Sequence, residues 1–239
     1  IGSGKYVGTY KVPDGISVKD AVVTATLEDK AGNITTSTSQ KVTIDSTLPK
    51  IESVEIVGSP GRAGGKITVN MVGEPNASAK FKIGNIADEN MREQPEGSGK
   101  YTGSYTILPD INVQDAVVTV TLIDSVGNIS TDASKKATID NKSPVITSVK
   151  VIGSPGYKGG KITIEMQGKA NGKAFFSIAG VTSDQAMTEQ SEGKYSGEYI
   201  ISDGVDVTDA VVTIKLTDLA GNSSTDKTQK VTIDTTAPK

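Results

Sequence analysis

The side chains in this sequence that could do chemistry are mostly aspartates and asparagines in a recurring pattern. The motif Asp-x-x-Gly-Asn occurs three times, at residues 29–33, 124–128 and 218–222. One interpretation is turn chemistry, in which the aspartate accepts backbone N–H bonds and the glycine or asparagine takes a positive φ. The other is a calcium site, because calcium prefers carboxylate and carbonyl oxygens as ligands. The motif alone leaves both open.

Missing residue types narrow the possible chemistry. The 239 residues contain no histidine and no cysteine, which excludes Ser-His and Cys-His nucleophile pairs, disulfides and thiolate metal sites. Paired carboxylates remain for catalysis, such as Glu189 with Glu192, echoed by Glu93 with Glu96. They lie in a loop of variable length, where charged residues usually form a solvated surface. We therefore predict that the chain is not an enzyme.

The charge pattern and hydropathy argue against two classes of partner. The net charge is -3, and lysines alternate with acidic residues rather than clustering, so nucleic acid is not an expected partner. No apolar run reaches the roughly 20 residues of a bilayer-spanning helix, so we predict no membrane insertion in this segment. Because the sequence begins at Ile1 rather than Met, a signal or anchor outside it stays an open alternative.

A repeat of about 95 residues runs through the chain and determines its organisation. The stretch IESVEIVGSPGRAGGKITVNMVG from Ile51 returns as ITSVKVIGSPGYKGGKITIEMQG from Ile146, and GKYVGTY has the later versions GKYTGSY and GKYSGEY. We predict three segments. Residues 1–50 form a half repeat that matches only the C-terminal half of a unit. Residues 51–145 form a middle repeat, and residues 146–239 form a last repeat.

Apolar and polar residues alternate within a repeat, which is the period of a half-buried β-strand. Ile67, Val69 and Met71 follow this pattern. Runs bounded by Gly, Pro, Asn and Asp predict about seven strands in the middle repeat, at residues 51–58, 66–73, 79–84, 86–91, 100–107, 116–123 and 134–139. Seven short strands without helical periodicity are typical of a Greek-key sandwich. The predicted fold class is therefore all-β, with sandwiches in tandem.

The half repeat is predicted to supply only the last three strands of a sandwich. Ala21, Val23 and Leu27 would then form an apolar face without a second sheet over it, and such a sheet is not stable alone. An upstream half repeat on the same chain could complete it, which is the interpretation we prefer. Alternatively, another molecule donates the missing strands, which would make the chain a strand-exchanging filament subunit.

Two tyrosines flank a glycine on one face of a strand in each whole repeat, Tyr101 with Tyr105 and Tyr195 with Tyr199. One interpretation is a platform for stacking a sugar ring, which would make the chain a carbohydrate- or ligand-binding module. The other is core packing with hydroxyls that reach the edge of the sandwich. Only 4% of the residues are aromatic, so few other large side chains are available to fill the interior.

The end of each repeat resembles a known family. The last repeat closes with DLAGNSSTDKTQKVTIDTTAP, and the earlier segments carry DKAGN with IDSTLP and DSVGN with IDNKSP. This pattern resembles the bacterial immunoglobulin-like repeats that build the stalks of large surface adhesins, biofilm-associated proteins and some surface-layer proteins. The resemblance covers all three segments. It implies immunoglobulin-like sandwiches and an extracellular location at the cell surface.

The VTID phrase near the end of a repeat is predicted to be its final strand. Pro49, Pro144 and Pro238 end this strand, because proline lacks a ladder donor and holds the preceding residue extended. Only a few residues then separate one repeat from the next. We predict that the repeats form an end-to-end rod in which each repeat contacts its neighbours in the same chain.

In such a rod, the last strand of one repeat ends near the last hairpin of the next. Asp45 is therefore predicted to approach the Asp-x-x-Gly-Asn motif of the middle repeat, and Asp140 that of the last repeat. Loop carboxylates from the same pole, such as Asp20 and Asp115, could add ligands to reach the six to eight oxygens of calcium. The resemblance likewise implies calcium at these junctions. The candidate ligands are Asp14, Asp45, Asp110, Asp124, Asn128, Asp140, Asp218 and Asn222.

Three asparagines of the recurring motif also fit the acceptor pattern for N-glycosylation. They are Asn33, Asn128 and Asn222. In a surface protein of an organism that attaches N-glycans, glycosylation would be an alternative role for these asparagines, whose presence the turn already explains.

The predicted function is a structural segment of a long extracellular protein: an adhesin stalk, a fibre or a surface-layer element. Its partners are the neighbouring repeats, with lateral or strand-exchange self-association as a further alternative. The competing hypotheses are a carbohydrate- or ligand-binding module of a secreted protein and a strand-exchanging filament subunit.

Overall fold

The structure is a computed structural model that describes residues 4–238. In this range the chain forms sixteen β-strands and no helix, as the two-residue alternation of apolar side chains predicts. The strands group into one hairpin and two sets of seven. No described helix is long and apolar enough to cross a bilayer.

The middle repeat forms an immunoglobulin-like sandwich. Its strands are β3 (Ile51–Val57), β4 (Lys66–Gly73), β5 (Ser78–Ile83), β6 (Ala87–Glu93), β7 (Lys100–Thr106), β8 (Val113–Ile123) and β9 (Ile129–Ile139). They are hydrogen-bonded in the order β3-β4-β7-β6-β5-β8-β9. Strand β6 belongs to both sheets, because its first residues pair with β5 while Arg92 and Glu93 pair with β7.

The last repeat has the same topology, which confirms two seven-stranded immunoglobulin-like sandwiches in tandem. Its strands are β10 (Ile146–Ile152), β11 (Lys161–Gly168), β12 (Lys173–Ile178), β13 (Thr182–Ser191), β14 (Lys194–Ile200), β15 (Val207–Thr217) and β16 (Ser223–Ile233). Strand β13 changes sheets as β6 does: Met187 still pairs with β12, and Thr188 pairs with β14. The connections from β11 to β12 and from β14 to β15 cross between the sheets, as in a Greek-key sandwich.

The cores consist of the alternating inward residues that the sequence pattern indicates. In the last repeat, Ile162, Ile164 and Met166 of β11 face Phe176 of β12 within one buried cluster. Fully burying an aliphatic side chain contributes roughly 1.5–3 kcal/mol. Because aromatic residues are scarce, β-branched residues and one phenylalanine per repeat, Phe81 or Phe176, fill each interior.

Three of the four paired tyrosines are buried in the core, and the fourth, Tyr199, is partly buried and packs against it. Tyr101, Tyr105 and Tyr195 are at most 7% exposed, so their ring faces are not available to a sugar. The glycine between them makes room for the core phenylalanine, because a Cβ at Gly197 would lie 2.7 Å from Cε1 of Phe176. Core packing, the second interpretation of this motif, therefore fits the structure.

The half repeat forms two strands, β1 (Ser17–Glu28) and β2 (Ile34–Asp45), and not the three that the sequence predicts. The segment 5–13, which contains the GKYVGTY match, has no assigned strand. Its equivalents β7 and β14 pair with neighbours such as β4 and β11. Among residues 4–238, the half repeat has no strand equivalent to β4 or β11 with which this segment could form a sheet.

By compactness the chain divides into two units. One comprises Ile1–Ile56, Thr68–Ser104 and Val117–Lys136, and the other comprises Val57–Ile67, Tyr105–Ala116 and Ala137–Lys239. This division passes through the middle repeat. As a result, the contacts of Asp45 with the middle repeat lie inside the first unit, and those of Asp140 with the last repeat lie inside the second.

Candidate functional site

Two corresponding clusters form where one repeat meets the next. We define the first junction as Asp45, Glu74, Asp124 and Asn128, and the second junction as Asp140, Lys169, Asp218 and Asn222. Each combines the end of a last strand, the residue that follows the second strand of the next repeat, and that repeat's Asp-x-x-Gly-Asn turn.

The aspartate of the motif closes its own turn. Oδ1 of Asp124 accepts hydrogen bonds from the backbone N–H groups of Val126, Gly127 and Asn128 at 2.8 to 3.0 Å, and Oδ2 accepts one from Nδ2 of Asn128 at 2.7 Å. Burial would raise the pKa of Asp124, but these bonds outweigh it and lower the pKa below its usual 3.8. Gly127 has a φ of 100°, which favours glycine.

The asparagine of the motif does more than support the turn. Nδ2 of Asn128 donates to the main-chain oxygen of Asp45 at 3.0 Å, and Nδ2 of Asn222 donates to that of Asp140 at 2.8 Å. One amide group thus joins the turn of one repeat to the last strand of the repeat before it. Sequence reasoning brought these residues together but assigned them as metal ligands and missed the amide contact.

The carboxylates that end the last strands have different partners at the two junctions. Oδ1 of Asp45 accepts bonds from the backbone N–H and the hydroxyl of Thr47, at 3.0 and 2.6 Å, and so serves its own linker. Oδ1 of Asp140 accepts from the backbone N–H of Lys142 at 3.0 Å, whereas its Oδ2 accepts from Nζ of Lys169 at 2.7 Å. Only the second of these carboxylates is tied to the following repeat.

The other predicted ligands are not part of either cluster. Asp14 and Asp110 lie in exposed turns, and neither carboxylate has a hydrogen-bond or ion-pair partner among residues 4–238. Asp20 and Asp115 are in strands rather than loops, at φ values of 55° and 52°. An irregularity in strand pairing surrounds Asp20, where β1 skips from Val18 to Ala21, as is typical of a β-bulge.

Residues 74 and 169 occupy equivalent positions. The backbone N–H of Glu74 donates to the oxygen of Lys50 at 2.9 Å, and that of Lys169 donates to the oxygen of Val145 at 3.0 Å. The carbonyl of Glu74 accepts from the hydroxyl of Tyr101 at 2.6 Å, and that of Lys169 from the hydroxyl of Tyr195 at 2.7 Å. The two junctions therefore share a backbone frame and differ in the sign of one charge.

Lys169 is the centre of the second junction. Its Nζ lies 2.7 Å from Oδ2 of Asp140 and 3.1 Å from Oδ2 of Asp218. The side chain of Asp218 is 1% exposed, while those of Lys169 and Asp140 are 42% and 26% exposed. Hydrogen bonding to Asp140 raises the pKa of Lys169 against the opposing effect of burial. The ammonium thus compensates a buried carboxylate, which is costly to leave unpaired.

The residues present do not fit a calcium ion at these junctions. Among residues 4–238, no group of three or more Asp, Glu, His or Cys side chains is arranged to hold a metal ion. At the second junction, the oxygens that calcium would need already accept the protons of Lys169. At the first junction, Oδ1 of Asp45 accepts from the linker and Asp124 from its own turn.

Two of the four glutamates considered for catalysis, Glu93 and Glu189, accept hydrogen bonds from backbone N–H groups. Glu93 accepts from the N–H groups of Asn76 and Gly99, and Glu189 from those of Asn171 and Gly193. Desolvation of Glu93 raises its pKa, but bonds from Gly99 and other backbone groups outweigh this and lower the pKa below 4.5. A general acid at neutral pH needs the opposite shift.

Two of the three asparagines of the glycosylation pattern, Asn128 and Asn222, use their amides at the junctions. Nδ2 of Asn128 donates to both Asp45 and Asp124. A glycan attached to Nδ2 would leave a single N–H there, so one of these bonds would be lost. Asn33 lacks the contact to a preceding repeat and donates only within its turn, to Asp29 at 2.8 Å.

The fold is similar to those of solved repeat proteins. Fibronectin(III)-like modules of CbhA from Clostridium thermocellum align at 15% identity over 77% of this chain and 94% of theirs, with a TM-score of 0.44. A Ca2+-stabilized adhesin that helps an Antarctic bacterium bind ice aligns at 17% identity over 90% of this chain, with a TM-score of 0.47. Three consecutive immunoglobulin domains of titin align at 12% identity over 78% of this chain, with a TM-score of 0.40.

The chain spans 57% of the ice-binding adhesin structure and 66% of the titin structure. No protein-family model matches the sequence, and no curated protein sequence matches it. The similarities therefore concern the fold, which is that of tandem immunoglobulin-like sandwiches.

Proposed function

We propose that this chain is a structural segment of a long extracellular cell-surface protein, such as an adhesin stalk, a fibre or a surface-layer element, without a catalytic role. Residues 51–145 and 146–239 act as whole repeats, and residues 1–50 as the C-terminal half of another. The main support is that the same hydrogen bond recurs at both junctions, from the asparagine amide to the main-chain oxygen of Asp45 or Asp140. Identical contacts between successive repeats are what a chain of stacked modules requires.

The linkers support this role. Only residues 46–50 separate β2 from β3, and only residues 140–145 separate β9 from β10. Pro49 and Pro144 are buried, whereas Pro238 is exposed. Short linkers with a buried proline restrict how one repeat moves relative to the next. We expect a stiff, elongated particle.

The experiment is a comparison of Asn222→Ala with the unchanged chain by small-angle X-ray scattering and thermal unfolding. Removing the amide deletes the bond to the main chain of Asp140 and the bonds to Asp218. We expect a more flexible particle and a loss of about 1–2 kcal/mol of stability in the last repeat.

The matched control is Asn33→Ala, because Asn33 occupies the same motif position but makes only the bond within its turn. It should leave the scattering profile unchanged. If Asn222→Ala were as stiff as the unchanged chain, the junction contact would not hold the repeats and the proposal of a stiff stalk would fail. Repeating both measurements with calcium and with a chelator tests whether calcium binds at either junction, and we expect no difference because the residues present do not fit the ion.

A strand-exchanging filament subunit is the second candidate, and one observation favours it. Val23 and Leu27 are 43% and 48% exposed in the half repeat, whereas their counterparts Val118 and Leu122 are at most 1% exposed. The β1–β2 hairpin thus presents core positions with no second sheet. Strands from another molecule could cover them.

A further inference from the structure

We propose that the ammonium group of Lys169 is a built-in cation that replaces a divalent ion at the second junction, so that this junction needs no metal. This inference rests on the proposed function, because it concerns how successive repeats are joined. It goes further in assigning a task to one residue type at one position of the repeat. This position of the repeat holds Lys169 in the last repeat and Glu74 in the middle repeat.

Positions 74 and 169 are equivalent in the fold. Glu74 and Lys169 make the same two backbone hydrogen bonds, to the linker before the first strand and to a buried tyrosine hydroxyl. Both side chains therefore start from the same place in the fold. The two side chains differ in the sign of their charge.

The two carboxylates of the second junction meet at the Lys169 ammonium. Asp140 and Asp218 come from consecutive repeats, and both offer Oδ2 to the Lys169 ammonium. Oδ2 of Asp218 also accepts from the amide of Asn222 at 3.2 Å. Two carboxylates that share one proton donor would repel each other if it were removed, and Asp218 is too buried for water to screen it.

The Lys169 ammonium has a geometry that suits two acceptors. A lysine ammonium is a compact charge with three N–H donors on a flexible stem, so it can bond two carboxylates from different elements at once. Divalent cations that favour oxygen ligands would compete for the same Oδ2 atoms. With the ammonium 2.7 and 3.1 Å from those atoms, lysine and metal exclude each other.

The experiment is hydrogen–deuterium exchange, followed by mass spectrometry on the full chain, with and without calcium. The reporters are the backbone amides of Lys142 and Asn222, because each donates to a carboxylate of the junction, Asp140 or Asp218. In the unchanged chain, we expect the same exchange rates with millimolar calcium and with a chelator. Slower exchange in calcium while Lys169 is present would overturn the inference.

The variants Lys169→Met and Lys169→Arg separate charge from packing. Met keeps an apolar stem without the charge, so we expect exchange at the reporter amides to speed up about tenfold, the size of one charge-assisted hydrogen bond. Arg keeps the charge and should restore slow exchange. Exchange as slow in the Met variant as in the unchanged chain would overturn the inference. Slow exchange in the Met variant together with fast exchange in the Arg variant would overturn it as well.

Lys158→Met provides the matched control. Lys158 forms an ion pair with Asp203 in the same repeat at 2.6 Å, but both side chains are more than 60% exposed. Exposed pairs of this kind contribute little, so the reporter amides should not respond. A failure of the lysine variants, with Asn222→Ala still loosening the junction, would reject the built-in cation and leave the proposed stalk function intact.

Discussion

At the scale of single residues, the informative feature is an asparagine whose amide forms two kinds of hydrogen bond, one within its turn and one to the preceding repeat. Asn128 and Asn222 complete their turns and also donate to the main chain of the preceding repeat. Turn chemistry explains why the motif forms locally. The second contact links the motif to the VTID strand, so the two recurring phrases are parts of one junction.

The ion pairs of Lys169 should stabilise the protein only within a middle range of pH. Hydrogen bonding to Lys169 lowers the pKa of Asp140 below its ordinary 3.8 despite burial, and hydrogen bonding to Asp140 raises the pKa of Lys169 above 10.5. A carboxylate with a lowered pKa loses its contribution as the pH falls through the folded value. A lysine with a raised pKa loses it as the pH rises through the folded value.

We therefore predict a pH-dependent difference between the unchanged chain and Lys169→Met in thermal unfolding monitored by circular dichroism. The difference in midpoint should be constant between about pH 5 and pH 9 and shrink below about pH 3.8 as Asp140 is protonated. The charged groups around the ammonium are Asp140, Asp218 and Lys142. A difference that did not shrink as the pH fell below about 3.8 would mean that packing, and not charge, is responsible.

At the scale of elements, strand existence follows from the sequence better than strand length. The predicted strands at 51–58, 66–73 and 100–107 agree with β3, β4 and β7 to within a residue, whereas β8 and β9 begin at Val113 and Ile129 rather than at 116 and 134. The extra residues are largely exposed and polar. They are strands because they pair with a long neighbour, which no local pattern reveals.

The tyrosine-glycine-tyrosine strand depends on a close fit to the core phenylalanine. A methyl group at Gly197 would meet the Phe176 ring at 2.7 and 2.9 Å. Overpacking of this kind costs about 1–3 kcal/mol. We predict that Gly197→Ala lowers the midpoint of thermal unfolding of the last repeat.

The control for that prediction is Gly8→Ala. Gly8 holds the same position in the GKYVGTY match of the half repeat, and a Cβ there would have no heavy atom within 4 Å. This variant should unfold as the unchanged chain does. Equal destabilisation by both substitutions would show that the fit to Phe176 does not set the cost.

At the scale of the whole molecule, the open β1–β2 hairpin could be completed in two ways, by an upstream half repeat or by strands of another molecule. If strands of another molecule cover Val23 and Leu27, the chain should form larger species with rising concentration. We predict that in this case a double variant, Val23→Lys with Leu27→Lys, stays monomeric in sedimentation velocity experiments. Burying two lysines without partners would cost more than the strands gain.

Val22→Lys provides the comparison for self-association. Val22 lies on the same strand but on the other face, and its counterpart Val117 is 43% exposed in the complete middle repeat. It should associate as the unchanged chain does. A chain that stays monomeric at all concentrations would rule out strand exchange and leave completion by an upstream half repeat.

Local sequence patterns are enough to predict the repeats, the strand periodicity and the apolar sets that become the cores. Each depends on neighbours within a few positions, where alternation and turn residues act directly on the backbone. The Asp-x-x-Gly-Asn turn belongs here as well, since Asp124 bonds residues at most four positions away.

The contacts of the junction residues, in contrast, become visible only in the folded chain. Asn222 reaches a main-chain oxygen 82 positions away, and Lys169 bridges carboxylates 29 and 49 positions away. Carboxylate spacing alone could not show that a lysine would compensate Asp140 and Asp218 while Asp14 and Asp110 stay outside the clusters. Such partners are set by how folded repeats meet, because a side chain's charge acts on whatever the fold places within a few ångströms of it.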